Sequence, residues 1–391
     1  MDQKWLRYLL TIGHLTCDIS QGAVPALLPF LIADRGLSYF MASALVLACS
    51  GVSAVVQPLF GRLGDRINAP GFMGLGIVLA GLGISLIGWA QEYWLLLGCT
   101  AITGVGVALF HPEGGKLANV LASRGKASSI SNFSVGGYAG FAIGPVLVTL
   151  TMGVFGLKGT MLFLVPSALV AAVIIRQAAL YRRLSSEELE RRQQVAIETG
   201  STGRDDWLGF SKITAVNFLR SIISNGITAF MPLYLIAGFL IGEADAVMAL
   251  TCYSAIGALA TFVGGRLADR FGLRRMVLLG FATTFPLLAA FTASPNLPLA
   301  VLLIVGVALS MGSAYSSIIV LGQGYLPNQL GLASGISMGV VVSVGGIVSP
   351  LLGLVGDAWG LTAVMTVLCS ISALTLVAAV LVYRHPGSVE G

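Results

Sequence analysis

Gly61-Arg62-Leu63-Gly64-Asp65-Arg66 and Gly265-Arg266-Leu267-Ala268-Asp269-Arg270 are one charged hexapeptide, Gly-Arg-Leu-x-Asp-Arg, written twice about half a chain apart. Each copy is an island between long apolar runs. Of the 391 residues, 56% are hydrophobic and only 10% are charged, and the mean hydropathy is +0.90. Soluble domains carry about 25% charged residues, so this chain could not keep its surface wet. A charged motif repeated at half-length in such a sequence predicts a duplicated integral membrane domain. The 50 glycines fit close approach of spanning helices.

Outward from the two hexapeptides, a spanning helix needs about 20 mainly apolar residues. That criterion places helices near 6–32, 38–60, 72–90, 94–121, 128–154 and 158–180. A second set falls near 210–238, 244–265, 276–294, 297–325, 331–355 and 358–383. The expected fold is an all-α membrane protein of twelve transmembrane helices in two pseudo-symmetric six-helix bundles. Residues 1–180 form the first bundle and 210–391 the second. The polar stretch 181–209, with Arg182, Arg183, Glu187, Glu188, Arg191 and Arg192, reads as a cytoplasmic linker that is partly a surface helix.

Twelve spans place both termini on one side. With the termini cytoplasmic, the inside holds Arg62, Arg66, Arg124, Lys126, Arg182, Arg183, Arg191, Arg192, Arg266, Arg270, Arg274 and Arg275. The outer connections hold Arg35 and Lys158. That bias sets the topology. The net charge of +5 is this loop bias, so no nucleic-acid partner is implied. Cys17, Cys49, Cys99, Cys252 and Cys369 all lie in apolar runs without CxxC spacing and read as small buried hydrophobes, so neither a disulfide framework nor a zinc site is expected. No cleavable signal pattern opens the chain.

The repeat extends past the hexapeptide. Ala127-Ser128-Ser129-Ile130-Ser131 is echoed by Ala333-Ser334-Gly335-Ile336-Ser337, and Gly144-Pro145 by Ser349-Pro350, at nearly the same spacing. With these elements the chain resembles the major facilitator superfamily. Gly61–Arg66 and Gly265–Arg275 look like its loop signature between helices 2 and 3 and the echo between helices 8 and 9. The first copy departs from it, since Ile67-Asn68-Ala69-Pro70 replaces the usual Gly and basic residues. The second keeps Gly272, Arg274 and Arg275. Asp18-Ile19-Ser20-Gln21-Gly22 through Pro29, Phe110-His111-Pro112-Glu113, Val135-Gly136-Gly137 with Gly144-Pro145, and Gly322 through Pro327 resemble the fosmidomycin-resistance branch of drug exporters. The resemblance implies the major facilitator fold and proton-coupled efflux of small toxic compounds by alternating access, with substrate between helices 1, 4, 7 and 10. Gly140-x-x-x-Gly144-Pro145 also resembles the core of the antiporter signature. Tight packing with a proline kink explains it equally well.

Ionised side chains in a spanning helix cost about 2.5–3.5 kcal/mol at its centre and usually mark a pathway. Asp18, His14 and Gln21 share a face of helix 1. Helix 4 carries His111, Glu113 and Lys116, where Glu113 and Lys116 can pair and Pro112 suggests a bend. Asp18, Glu113, His111 and His14 are the candidate proton-coupling groups. The alternatives are a carboxylate tying helix 1 to its neighbours, a structural Glu113–Lys116 pair and a satisfied polar histidine. His111-x-Glu113 lacks further ligands along the chain, so no metal site is expected.

Arg220, the deep cation of the second half, is the candidate substrate counter-ion, with Asn217 and Asn225 beside it. Snorkelling to the inner surface is its alternative. Gln21, Tyr138, Asn132, Tyr315 and Gln323 are candidate substrate-binding residues, and Tyr234 another cavity-wall candidate. All of these aromatics are also explained by packing. Gly61, Asp65, Arg66, Gly265, Asp269, Arg270, Arg274, Gly144 and Pro145 are candidate gating elements, in which each aspartate would accept from helix N-termini and pair with arginine.

The expected function is a proton-coupled exporter of small toxic compounds, fosmidomycin-like or other drugs, anionic ones among them. The expected setting is a bacterial-type cytoplasmic (inner) membrane. The protein is expected as a monomer in a lipid bilayer, with small-molecule substrates and protons as partners. No cofactor beyond the proton gradient is expected, and no enzymatic activity. A proton-coupled importer of a metabolite shares every one of these features, and a non-transporting receptor or scaffold is the alternative of another class.

Overall fold

The computed structural model describes residues 3–37, 39–122, 125–198 and 204–382. The expectations for Arg124, for 199–203 of the linker and for 383–391 fall outside the described residues. Among the described residues the chain is helical throughout, and twelve helices follow one another. They are α1 Gln3–Arg35, α2 Tyr39–Ile67, α3 Gly71–Leu86, α4 Tyr93–Val120, α5 Lys126–Phe155 and α6 Leu164–Glu198, then α7 Trp207–Phe239, α8 Glu243–Phe271, α9 Leu273–Thr292 and α10 Leu297–Tyr325. α11 is assembled from Leu330–Gly335, a π-helical turn Ile336–Val340 and Val341–Trp359, and α12 is Leu361–Val382. Among the described residues nine helical segments are long and apolar enough to cross a membrane, and one of them, Lys126–Val195, takes in both α5 and α6. Helices suit such sequences because every backbone N–H and C=O is satisfied within the segment, where no water could do it.

Contacts divide the chain into two compact units. One is Met1–Arg124, Asn132–Asp205 and Pro327–Val340; the other is Gly125–Ser131, Asp206–Leu326 and Val341–Gly391. The first unit centres on Ala23, Leu27, Leu31, Leu45, Ile84, Leu96 and Val148, contributed by α1 to α5. The second centres on Ile223, Ile227, Met231, Phe291, Ile304, Val307, Val364 and Leu368. In the first unit α3 and α4 meet backbone to backbone. A Cβ on Gly76 would lie 2.6 Å from the Gly106 carbonyl oxygen, and one on Gly106 2.5 Å from that of Gly76.

One local feature differs from the sequence expectation. The hexapeptides are the last turns of α2 and α8, not loops after them. Both helices stop one residue later, at a residue of positive φ: Asn68 (42°) and Gly272 (97°). The Asn68 N–H donates to the Gly64 carbonyl and the Gly272 N–H to that of Ala268, each at 2.9 Å. This is the single 5→1 bond that closes many helices. Pro112 lies inside the continuous α4 with no break in the helix.

The stretch from Tyr181 to Glu198 continues α6 as an amphipathic surface helix. It is held down by the Tyr181 hydroxyl donating to the Leu6 carbonyl at 2.7 Å and by Arg192 donating to the Asn119 side-chain oxygen at 3.1 Å. Arg191 and Arg192 both bond Glu188 at 2.8 Å.

Candidate functional site

In α1, His14 and Asp18 stand one turn apart, and the ring Nε2 lies 3.2 Å from the Asp18 carboxylate. α4 brings His111 to the same point: its Nε2 is 3.4 Å from the other Asp18 oxygen and 3.1 Å from the Nε2 of His14. All three side chains are buried, at 4%, 3% and 7% exposure. The expectation that His111 lacks companion ligands does not hold in space, because its companions come from α1 rather than from its own helix.

The opposite ring nitrogens fix the tautomers. His14 Nδ1 is 2.7 Å from the Phe133 carbonyl and His111 Nδ1 is 3.0 Å from the Val107 carbonyl. A carbonyl only accepts, so both Nδ1 atoms carry hydrogen, and in the neutral rings both Nε2 atoms present bare lone pairs. The His14 ring stacks on Phe133, with centroids 4.1 Å apart. α5 covers the cluster with Gly137, where an added Cβ would stand 2.6 Å from His14 Nε2 and 2.7 Å from an Asp18 oxygen. Gln21, one turn further along α1, is half-buried and not part of the cluster. Gly140 and Gly144 seat the rest of α5 against α1: a Cβ on Gly144 would be 2.7 Å from the Ile19 carbonyl oxygen. Pro145 lies within α5 without interrupting it.

Glu113, two residues from His111, faces elsewhere. Lys116 Nζ is 2.7 Å from its carboxylate and donates to the Gly64 carbonyl at 3.0 Å. The structural pair anticipated from the i, i+3 spacing is therefore formed, with both partners almost fully buried. It sits beside the end of α2, where Gly64 has no side chain to exclude it. Asp65 accepts from the backbone N–H groups of Gly331 and Leu332 at 2.8 and 2.9 Å, inside the same unit. In the other unit Asp269 does the same for Ala127 and Ser128 at 3.0 and 2.8 Å.

The expected arginine partners of these two aspartates are not there. Among the described residues neither carboxylate has an arginine within ion-pair distance, because both oxygens already accept from helix-terminal N–H groups that would otherwise lack partners. Arg270 is exposed, its guanidinium over the Phe271 ring. Arg66 is exposed and Arg274 half-buried. Gly61 and Gly265 allow the close approach: their Cβ atoms would lie 2.5 Å from the Gly331 oxygen and 2.6 Å from the Ala127 oxygen.

The second unit holds the other buried charge. Arg220 of α7 is 7% exposed, its guanidinium carbon 4.6 Å from the centre of the Tyr315 ring on α10. Its Nε donates to Asn217 Oδ1 at 3.1 Å. No carboxylate among the described residues lies within 4 Å of it. Snorkelling does not describe this side chain, which is packed against α10.

Asn225 turns back on its own helix, donating to the Ser221 carbonyl at 2.9 Å. Tyr234 donates its hydroxyl to the Thr292 carbonyl at 2.9 Å and packs in the core of its unit, a structural place. Gln323 is buried, Asn132 half-buried and Tyr138 exposed. Sequence reasoning missed Gly137 and Phe133. The Gly136-Gly137 pair on a helix was the available signal that another helix comes close there.

The profile of the Major Facilitator Superfamily matches residues 10–207 and 213–390. The chain belongs to that superfamily of membrane transporters. A relative named as an uncharacterized MFS-type transporter, YfnC of Bacillus subtilis (strain 168), is 28% identical over 376 residues, covering 95% of this chain and 91% of its own. The fosmidomycin resistance protein of Escherichia coli (strain K12) is 26% identical over 351 residues, covering 89% and 85%. Among solved structures, the human organic anion transporter MFSD10 (TETRAN) superposes with a TM-score of 0.75 at 15% identity, covering 97% of this chain and all (100%) of that one. The transporter FucP in its outward conformation gives 0.74 at 15%, covering 97% and 99%. At such identities these two show the twelve-helix fold alone.

Proposed function

We propose that this chain is a secondary transporter that exports small toxic compounds bearing an anionic group, drawing on the proton gradient and working as a monomer by alternating access. It resides in a bacterial-type inner membrane with both termini cytoplasmic. The observation that carries this reading is Arg220, a buried guanidinium with no carboxylate beside it among the described residues. Burying an ion costs several kcal/mol after relaxation. The ring of Tyr315 returns about 0.5–2 kcal/mol and one neutral hydrogen bond about 1 kcal/mol. The remainder is what an anionic substrate group would supply, and arginine offers it a planar fork of donors. Relatives named for fosmidomycin and multidrug resistance support export. A scaffold would gain nothing from so many buried charges.

The test uses everted vesicles energised to an acidic interior, challenged with phosphonates, organic cations and metabolites. Anionic compounds, phosphonates first, should release protons, and collapse of the gradient should stop their accumulation. No substrate-dependent proton movement with any of the three classes overturns the reading.

A further inference from the structure

We infer that His14, Asp18 and His111 form a binding site for one divalent transition-metal cation of the zinc and cobalt class. The inference stands apart from the transport reading, because it uses neither Arg220 nor the direction of flux.

Both histidines hold Nδ1–H against a backbone carbonyl, at 2.7 Å from Phe133 and 3.0 Å from Val107. This is the outer-shell arrangement that orients metal-ligating imidazoles and fixes Nε2 as the donor. In the neutral rings the two Nε2 atoms, 3.1 Å apart, both offer lone pairs. The Asp18 oxygens complete the set at 3.2 and 3.4 Å. Metal–nitrogen and metal–oxygen bonds near 2.0–2.2 Å at tetrahedral angles put ligand atoms about 3.3–3.5 Å apart. One ligand atom from each of the three side chains lies within 4.8 Å of the other two, close enough for small side-chain shifts to close them on one ion.

A single proton does not satisfy the same geometry. It lies on one donor–acceptor line and leaves the third group unmet, and Asp18 Oδ1 is a buried oxygen with no hydrogen-bond donor. A cation at the centroid engages all three at once. Two imidazoles and one carboxylate select first-row ions of borderline softness over magnesium and calcium, which prefer oxygen cages. Two neutral imidazoles, one carboxylate and a divalent ion sum to one positive charge. Three protein ligands leave a coordination position open. Gly137 guards the space: any side chain there would occupy it, as the 2.6 and 2.7 Å approaches of a Cβ show.

The test uses the full-length, tag-free protein in nanodiscs with His385 changed to Gln, so that only the two site histidines remain. Cobalt should bind once per chain and give the visible ligand-field bands of a low-coordinate site, and zinc should displace it. Outer-shell changes alone cost about 10–100-fold in metal affinity, so His14→Asn, Asp18→Asn and His111→Asn should each cost at least about 100-fold. Gly137→Ala should abolish binding with every ligand intact. Zinc should raise the melting temperature of the parent and of none of these variants. Spin-echo modulation from bound copper in the unmutated cluster should count two coordinated imidazoles, a measurement that needs no variant to fold. Absence of a cobalt spectrum, fewer than two coordinated imidazoles, or affinity unchanged by the substitutions overturns the site. A cluster that takes only a proton would give the first of these results.

Discussion

Arg220 is met by two neighbours among the described residues, neither of them charged. Asn217 takes one N–H and Tyr315 offers a ring face, while the rest of the fork points at no carboxylate among the described residues. Removal of the charge should therefore be felt by ligand more than by fold. A charge-assisted hydrogen bond contributes about 1.5–3 kcal/mol, and each 1.4 kcal/mol is tenfold in affinity. Arg220→Ala should weaken binding of anionic substrates about 10–100-fold and leave neutral ones unchanged, read by equilibrium binding to the purified protein. Arg220→Lys should fall between, since it keeps charge without the fork. Equal loss for neutral and anionic compounds would assign Arg220 to structure. This residue was legible in the sequence because a lone cation deep in an apolar run has few bland explanations. The His14–Asp18 half of the other cluster was legible too, as an i, i+4 pair on one helix. His111 was not seen as its third member: it arrives from 97 residues away, and that meeting is decided by helix packing across α1, α4 and α5, which no local spacing encodes.

At the scale of the element, the two hexapeptide helices end by one device built from different residues. The first copy looks eroded where Asn68 replaces the glycine that the second keeps at 272, yet both residues adopt positive φ and close the same 5→1 bond. Asparagine is among the few residues besides glycine that enter this region readily. It adds two contacts that glycine cannot make, donating its side-chain amide to Ser186 Oγ at 2.9 Å and to the Arg182 carbonyl at 3.3 Å. Those bonds hold the polar end of α6 to the α2–α3 turn. Asn68→Val should cost about 1–2 kcal/mol for the backbone and more for the lost bonds. Asn68→Gly should lose only the bonds. The order of melting temperatures in detergent, parent above Asn68→Gly above Asn68→Val, checks this; a valine variant as stable as the glycine one would refute it. Apolar runs located the spans well, but helix ends were misplaced, most by no more than two turns and the end of α6 by about five. Charged residues such as Arg62, Asp65 and the 181–198 stretch continue helices at the membrane edge, where hydropathy alone predicts a stop.

For the whole molecule, the proposed orientation rests on which connections share an end, and the first unit makes its two ends explicit. At one end the α1–α2, α3–α4 and α5–α6 connections meet: Arg35 bonds Gln91, and Lys158 lies 5.2 Å over the Trp89 ring. At the other end the α2–α3 turn and the close of α4 meet the end of α6, through Asn68 to Arg182 and Asn119 to Arg192. The first end holds the two isolated cations Arg35 and Lys158. The second holds Arg62, Arg66, Arg182, Arg183, Arg191 and Arg192. Each arginine costs about 2.5–3.5 kcal/mol near the membrane centre during insertion, so the proposed topology puts the arginine-rich end in the cytoplasm. That bias in basic residues is what the proposed topology rests on. The five native cysteines are free thiols and Cys252 is exposed, so they must be replaced before single cysteines are introduced. A cysteine at Gln91 should react with a membrane-impermeant maleimide in intact cells. One at Glu187, on the exposed face of α6, should react only after permeabilisation. The reverse pattern would place the basic end outside. It would turn the proposed exporter around in its membrane, so that the energised vesicles described above would present the opposite face of the protein to substrate.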